Sequence, residues 1–192
     1  AKILSLRKSR FTEMLVEENA SDLRGFDRWI FCKGLLFSSP NKWWGDHGQR
    51  DFPHEGIDLC LYKDSSGRIR RLEKKIRIPL MHNGTVRAMF KDYLGKAVVV
   101  EHQDPATDAG RYISFYAHTT PGVNIDVGMN LKEGEIIATL ADTRNSRARI
   151  IPHLHFSLGL PAKCTFALSR KVSEPKHSSV DRVKKSRNSS DS

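Results

Sequence analysis

From residue 56 onward the chain is a succession of short runs patterned like β-strands, each closed by residues that turn the backbone, and this rhythm restricts the fold more than any other feature. The runs are GIDLCLY, RIRRLEKKIRIPL, GTVRAMF, KAVVVEH, RYISFYAH, EIIATL and HLHFSL. Charged and apolar residues alternate in Arg68, Ile69, Arg70 and again in Lys75, Ile76, Arg77, Ile78, the period-two signature of a strand with one wet face. Several such strands at regular spacing predict an all-β fold, an antiparallel sandwich or barrel-like domain. Helix is expected only near the N-terminus, where Phe11, Met14, Leu15 and Glu18 in RFTEMLVEENA fall on one helical face. Between Trp29 and Trp44, aromatic and apolar residues punctuated by Gly34, Ser38, Ser39 and Pro40 read as a strand and a turn.

A chain of 192 residues can bury one sizeable core. The expected organisation is an N-terminal extension over residues 1–45, a β domain over 46–162, and a C-terminal tail over 163–192. From about Ser169 to Ser192 the tail is rich in Ser, Lys and Arg with almost no large apolar side chain, so it is expected to be disordered. The net charge of +10 is concentrated in residues 1–10, 65–78 and 170–192. Solvated tails and one basic loop account for it; anionic cell-wall polymers or lipid surfaces would be drawn to it without a specific site. No helix-turn-helix, finger spacing or RNA-binding aromatic motif accompanies it, which argues against specific nucleic-acid recognition. No run approaches the roughly 20 apolar residues of a spanning helix, and no signal peptide is visible. The chain opens at Ala1 rather than at a methionine, as after removal of a leader or upstream segment, so localisation cannot be read directly. Cys32, Cys60 and Cys164 form no CxxC pair, which speaks against a thiolate zinc site and leaves packing as their expected role.

Chemistry is carried by three separated pieces. In Pro53-His54-Glu55-Gly56-Ile57-Asp58 the imidazole and carboxylate are four apart, an even spacing that puts both on one face of extended backbone. Alone, this could be a turn histidine beside a capping aspartate. In Pro152-His153-Leu154-His155-Phe156 two imidazoles share one face of a strand and apolar residues the other. Cupin-like sites would bring a glutamate soon after, and a metallo-β-lactamase arrangement would need HxHxD; neither follows here. Tyr116-Ala117-His118 ends a strand-like run before Pro121 and Gly122. Together the pieces supply one carboxylate and four imidazoles to a single short β domain. A catalytic zinc site takes three protein ligands and leaves the fourth position to water, whose pKa it lowers toward about 7. Two imidazoles then remain to manage a proton and to face a developing oxyanion.

This ordered set, HEGID at 54–58, YAH at 116–118 and PHLHF at 152–156, resembles the lysostaphin and LytM-type zinc metallopeptidases, which cut peptide bonds of bacterial peptidoglycan. GTVRAMF, VVVEH and VNIDVGMNLKEGEIIATL are similar to further segments of that family, and the resemblance spans roughly residues 46–160. It implies an antiparallel β-sheet domain of the LytM type binding one zinc ion through His54, Asp58 and His155. His118 and His153 would be catalytic histidines, their division into base and oxyanion stabiliser left open. Tyr116 would hold substrate, beside its plainer reading as a packed strand tyrosine. His47, His82, His102 and His177 are read as loop, packing or tail residues. The implied activity is a zinc-dependent metalloendopeptidase acting on peptidoglycan stem or cross-bridge peptides, at the cell surface or in the periplasm. The alternative is a non-hydrolytic cell-wall binding or amidase-activator module, against which the intact residue set counts. This chain departs from the family pattern in the charged insert SSGRIRRLEKK and in DTRNSRARII, which stands where a glycine-rich loop is usual. Both bear on substrate choice.

Overall fold

The computed structural model describes residues 6–104, 110–143 and 150–160. The expectations for the tail, for Cys164 and His177, and for most of DTRNSRARII lie outside these residues. The described chain is all-β apart from one short helix, with antiparallel pairing throughout. It opens with α1 (Phe11–Glu18) and β1 (Phe26–Ile30), followed by β2 (Ile57–Leu59), β3 (Leu61–Asp64), β4 (Ile69–Arg71), β5 (Arg77–Pro79) and β6 (Gly84–Lys91). Then come β7 (Lys96–Gln103), β8 (Arg111–Pro121), β9 (Asn130–Leu131), β10 (Ile136–Leu140) and β11 (Leu154–Gly159). A three-stranded sheet has the order β1-β3-β4; an eight-stranded sheet runs β2-β11-β8-β7-β6-β9, with β10 pairing both β8 and β5.

The helix forms where the apolar spacing predicts it. Phe11 and Leu15 enter the core, and Phe11 stacks on Phe156 at 4.8 Å between ring centres. Its C-terminal end is fastened by Asn19, whose fully buried amide donates to the Leu15 and Arg77 carbonyls and accepts from the Arg77 N–H, each at 2.8 Å. A buried amide with its hydrogen bonds satisfied this way ties α1 to β5.

Two runs that read as single strands are divided. GIDLCLY breaks at Cys60: β2 pairs in the large sheet and β3 in the small one, with the Cys60 carbonyl accepting from Leu72 N–H. RIRRLEKKIRIPL breaks between β4 and β5: β4 pairs with β3 in the small sheet and β5 with β10 in the large one, with Leu72 and Ile76 both buried on either side of the change. The charged insert thus builds the β3–β4 hairpin. Asp64 closes its turn, accepting from the backbone N–H groups of Ser66 and Arg68 and from the Arg70 guanidinium.

β8 is the spine of the large sheet. One edge pairs with β7; the other pairs with β11 up to Ala117 and with β10 from Thr119. His118 sits at the change of partner with φ of 62°, a left-handed backbone that side chains rarely adopt. The main core lies on the face of the sheet carrying Val86, Val98, Val100, Tyr116, Leu154 and Phe156. Cys60 packs in the interior, burial pushing its thiol up to about 12, whereas Cys32 is exposed and so does not pack as expected.

Candidate metal centre

Strand register assembles the site. Asp58 on β2 stands directly opposite His155 on β11, and His155 opposite Ala117 on β8, the neighbour of His118. Directly opposed residues of antiparallel strands project from the same face, and Leu154 and Phe156 occupy the other face, in the core. The register therefore puts Asp58 and His155 together. His54 arrives differently from the expected extended segment: it lies before β2, pinned to residues 36–39. Its backbone N–H donates to the Ser39 carbonyl, its carbonyl accepts from Ser38 N–H, and its Nδ1 bonds the Leu36 carbonyl at 3.1 Å. A carbonyl only accepts, so Nδ1 carries the proton and the Nε2 lone pair faces inward. Gly56 allows the close approach to β11, since a Cβ there would stand 2.4 Å from the Phe156 carbonyl oxygen and 3.0 Å from His155 Nε2.

Three donor atoms converge. His54 Nε2 lies 3.1 Å from Asp58 Oδ1 and 3.0 Å from His155 Nδ1, and His155 Nδ1 lies 2.9 Å from Asp58 Oδ1. His54 and Asp58 are buried and His155 is partly exposed. Burial raises the Asp58 carboxyl, but the close His155 and His54 imidazoles outweigh it and hold the group well below the usual carboxylate range. The arrangement fits a cation. Ligand atoms about 2.0–2.2 Å from a zinc ion stand about 3.3 Å apart at tetrahedral corners, close to these separations, and lone pairs gathered so tightly repel unless a positive charge lies among them. Nitrogen and carboxylate oxygen in a set of three are the donors a catalytic zinc site uses.

The two further histidines stand beside this cluster. The His118 ring centre is 4.7 Å from that of His153 and 5.9 Å from that of His155. His153 Nδ1 donates to the Ile151 carbonyl at 2.9 Å, and burial pushes its pKa down to about 4, so the ring is neutral with a free Nε2. Asp92 accepts from the His118 backbone N–H at 2.7 Å, and its other oxygen comes within 3.3 Å of His118 Nδ1 without the alignment of a full hydrogen bond. Burial raises the Asp92 carboxyl; the bonds from His118 and from Gly95 N–H bring it down to about 2. Two clefts open beside the cluster. One of about 210 Å³ is lined by Trp44, Asp58, Tyr93, His118 and His153, and one of about 380 Å³ by Lys42, Phe52, His54 and Glu55. The charged insert contributes to neither.

Tyr116 is corrected. It is fully buried in the core against Phe11 and Phe156, its hydroxyl accepts from Met81 N–H, and burial pushes it up to about 12. It faces away from the histidines, so the packing reading stands and substrate contact is dropped. His102 and His82 are likewise buried on the far side: His102 bonds the Asn83 carbonyl and Ser114 hydroxyl, and His82 the Tyr112 hydroxyl. Missed from sequence were Asp92, Trp43 and Arg50. Asp92, in Asp92-Tyr93-Leu94-Gly95, gives only the signal of a turn, which it also closes through Leu94 and Gly95 N–H.

Residues 70–163 match the model of peptidase family M23. The matched stretch contains His118, His153 and His155, while His54 and Asp58 precede it. No curated protein matches the chain. Among solved structures, a zinc-containing peptidase from Vibrio cholerae is 23% identical, with 71% of this chain and 37% of that one covered and a TM-score of 0.45. The catalytic domain of lysostaphin from Staphylococcus simulans is 19% identical, with 72% of this chain and 84% of that one covered and a TM-score of 0.42. The chain spans little more than a third of the Vibrio peptidase.

Proposed function

We propose that this chain is a zinc-dependent metalloendopeptidase that hydrolyses amide bonds in peptidoglycan peptides outside the cytoplasm. The observation that carries the reading is the convergence of His54 Nε2, Asp58 Oδ1 and His155 Nδ1 within 2.9–3.1 Å, with the His118 and His153 imidazoles alongside. The match to the M23 peptidase model supports peptidase chemistry. His54, Asp58 and His155 would hold one zinc ion, which when bound supplies a Lewis acid for the scissile carbonyl and a water of lowered pKa.

The remaining chemistry belongs to the protein's own groups. His118 Nε2 takes the proton of the attacking water and later returns it to the leaving amine, with the Asp92 carboxylate beside Nδ1 neutralising the transient imidazolium. His153, neutral and tied through Nδ1 to Ile151, offers Nε2 as a hydrogen-bond acceptor that orients the water. The clefts on either side of the cluster, with Trp44, Phe52 and Tyr93 at their walls, receive the peptide.

The test is metal content by elemental analysis of wild type and Asp58→Ala, each then incubated with purified sacculi while new amino termini are counted. About one equivalent of zinc with cleavage in wild type, both lost in the variant, is the expected result. Zinc without cleavage would move the chain to a non-hydrolytic cell-wall binding or activator role, and a wild-type protein without zinc would end the metal-centre reading.

A further inference from the structure

The Asp58 carboxylate has two oxygens, and the cluster uses one. Oδ1 faces His54 and His155, whereas Oδ2 accepts the indole N–H of Trp43 at 2.7 Å, with an Arg50 guanidinium nitrogen 3.7 Å away. We propose that Trp43 is a positioning residue for the metal centre: its indole N–H holds Oδ2 so that Asp58 presents Oδ1 alone to the ion. This rests on the zinc-site reading above. An indole nitrogen donates and cannot accept or ligate, so at this position it can only fix the carboxylate. A free carboxylate turns about its terminal torsion and can offer either oxygen, or both, to a cation.

The loop carrying Trp43 is braced so as to keep the donor in place. Gly34 has φ of 97°, and a Cβ there would stand 2.9 Å from Trp43 N and 3.0 Å from the Asn41 carbonyl oxygen. The Arg50 side chain donates from Nε to the Asn41 carbonyl and from its terminal nitrogen to the Gly34 carbonyl, and its guanidinium lies 4.4 Å from the Trp44 ring centre. Lys42 N–H donates to the Gly48 carbonyl, and Ser39 Oγ accepts from the N–H groups of Gly34 and Asn41. Trp43 also meets His153 edge-on at 5.0 Å, so one side chain bears on both a proposed ligand and a proposed catalytic histidine.

The distinguishing experiment compares Zn²⁺ affinity, by competition with a chromophoric chelator, in wild type, Trp43→Phe and Ser39→Ala. Phenylalanine keeps an aromatic edge near His153 and removes only the donor, while Ser39→Ala removes two loop hydrogen bonds, leaves those made by Arg50 and Lys42 to hold the loop, and keeps the donor. Losing the hydrogen-bond partner of a metal ligand costs about 10–100-fold in affinity. That loss is expected in Trp43→Phe, with a changed Co²⁺ absorption spectrum, and Ser39→Ala is expected to stay within about threefold of wild type. Equal weakening in both variants, or undiminished affinity in Trp43→Phe, would overturn the inference while leaving the zinc site standing. Wild-type protein that binds no metal would overturn both.

Discussion

His118 has a left-handed backbone, φ of 62°, at the point where the edge of β8 passes from β11 to β10. A Cβ in that conformation costs about 1–2 kcal/mol, and glycine escapes the cost. In an ordinary strand glycine is the less stable choice by about 0.5–1 kcal/mol relative to alanine, so the order should invert here. His118→Gly is expected to be more stable than His118→Ala by about 1 kcal/mol in urea denaturation of the metal-free protein, although both lack the imidazole. A His118→Ala protein as stable as His118→Gly would mean that the sheet relaxes around residue 118. The histidines and Asp58 were legible because donor type and short spacing are local properties, as in HEGID and HLH. Trp43, Arg50 and Asp92 were not. Each reaches its partner across a fold that brings distant segments together, Trp43 to Asp58 over 15 residues and Asp92 to His118 over 26. Tyr116 failed for the converse reason: in YAH it is two residues from a site histidine, yet its side chain leaves the opposite face of the sheet from the cluster.

At the scale of elements, the rhythm of apolar runs foretold antiparallel strands and one amphipathic helix, because side-chain alternation records which face is wet. It did not reveal where a run changes sheet, since Cys60 and Leu72 are apolar on either reading and only the pairing of Leu72 N–H with the Cys60 carbonyl marks the division. Nor did it show that the helix is tied to the sheet by a polar group. Asn19 reads as an ordinary helix-ending residue, yet its buried amide serves two carbonyls and one N–H across α1 and β5. Asn19→Ala would leave the buried Leu15 carbonyl and the part-buried Arg77 N–H and carbonyl without this partner. Leaving buried groups unpaired costs about 1–3 kcal/mol each in the worst case, less where relaxation admits water, so a loss of about 2–4 kcal/mol is expected. Chemical denaturation of the metal-free variant checks it. A loss under about 1 kcal/mol would show that the N-terminal helix contributes little to the stability of the β core.

Across the whole molecule, the buried histidines set how stability responds to acid. Burial lowers His82, His102 and His153 from 6.5, the last to about 4. In the unfolded chain these rings take up protons as the pH falls through 6.5, while in the folded protein they resist until lower pH. The unfolded state therefore binds more protons in this window, and stability falls as the pH falls. The histidine contribution is complete above pH 6.5 and is lost as the pH falls through the folded-state values, that of His153 lying at about 4. A second loss follows at lower pH: Asp92, held down to about 2 from 3.8, contributes above 3.8 and ceases to as the pH approaches 2, and Asp64 is lowered in the same direction. Urea denaturation of chelator-treated protein from pH 8 to 3 should therefore show stability declining from about pH 6.5, before the carboxylates titrate. His102 offers the cleanest test because it is fully buried between Asn83 and Ser114, outside the His54, Asp58 and His155 group. A group that does not titrate removes at most one proton from the linkage, about 1.4 kcal/mol per pH unit. His102→Gln should accordingly be less stable at pH 8 yet show a shallower decline as the pH falls below 6.5. An unchanged slope would assign the acid sensitivity to the other imidazoles and leave His102 a packing residue with no part in the pH response.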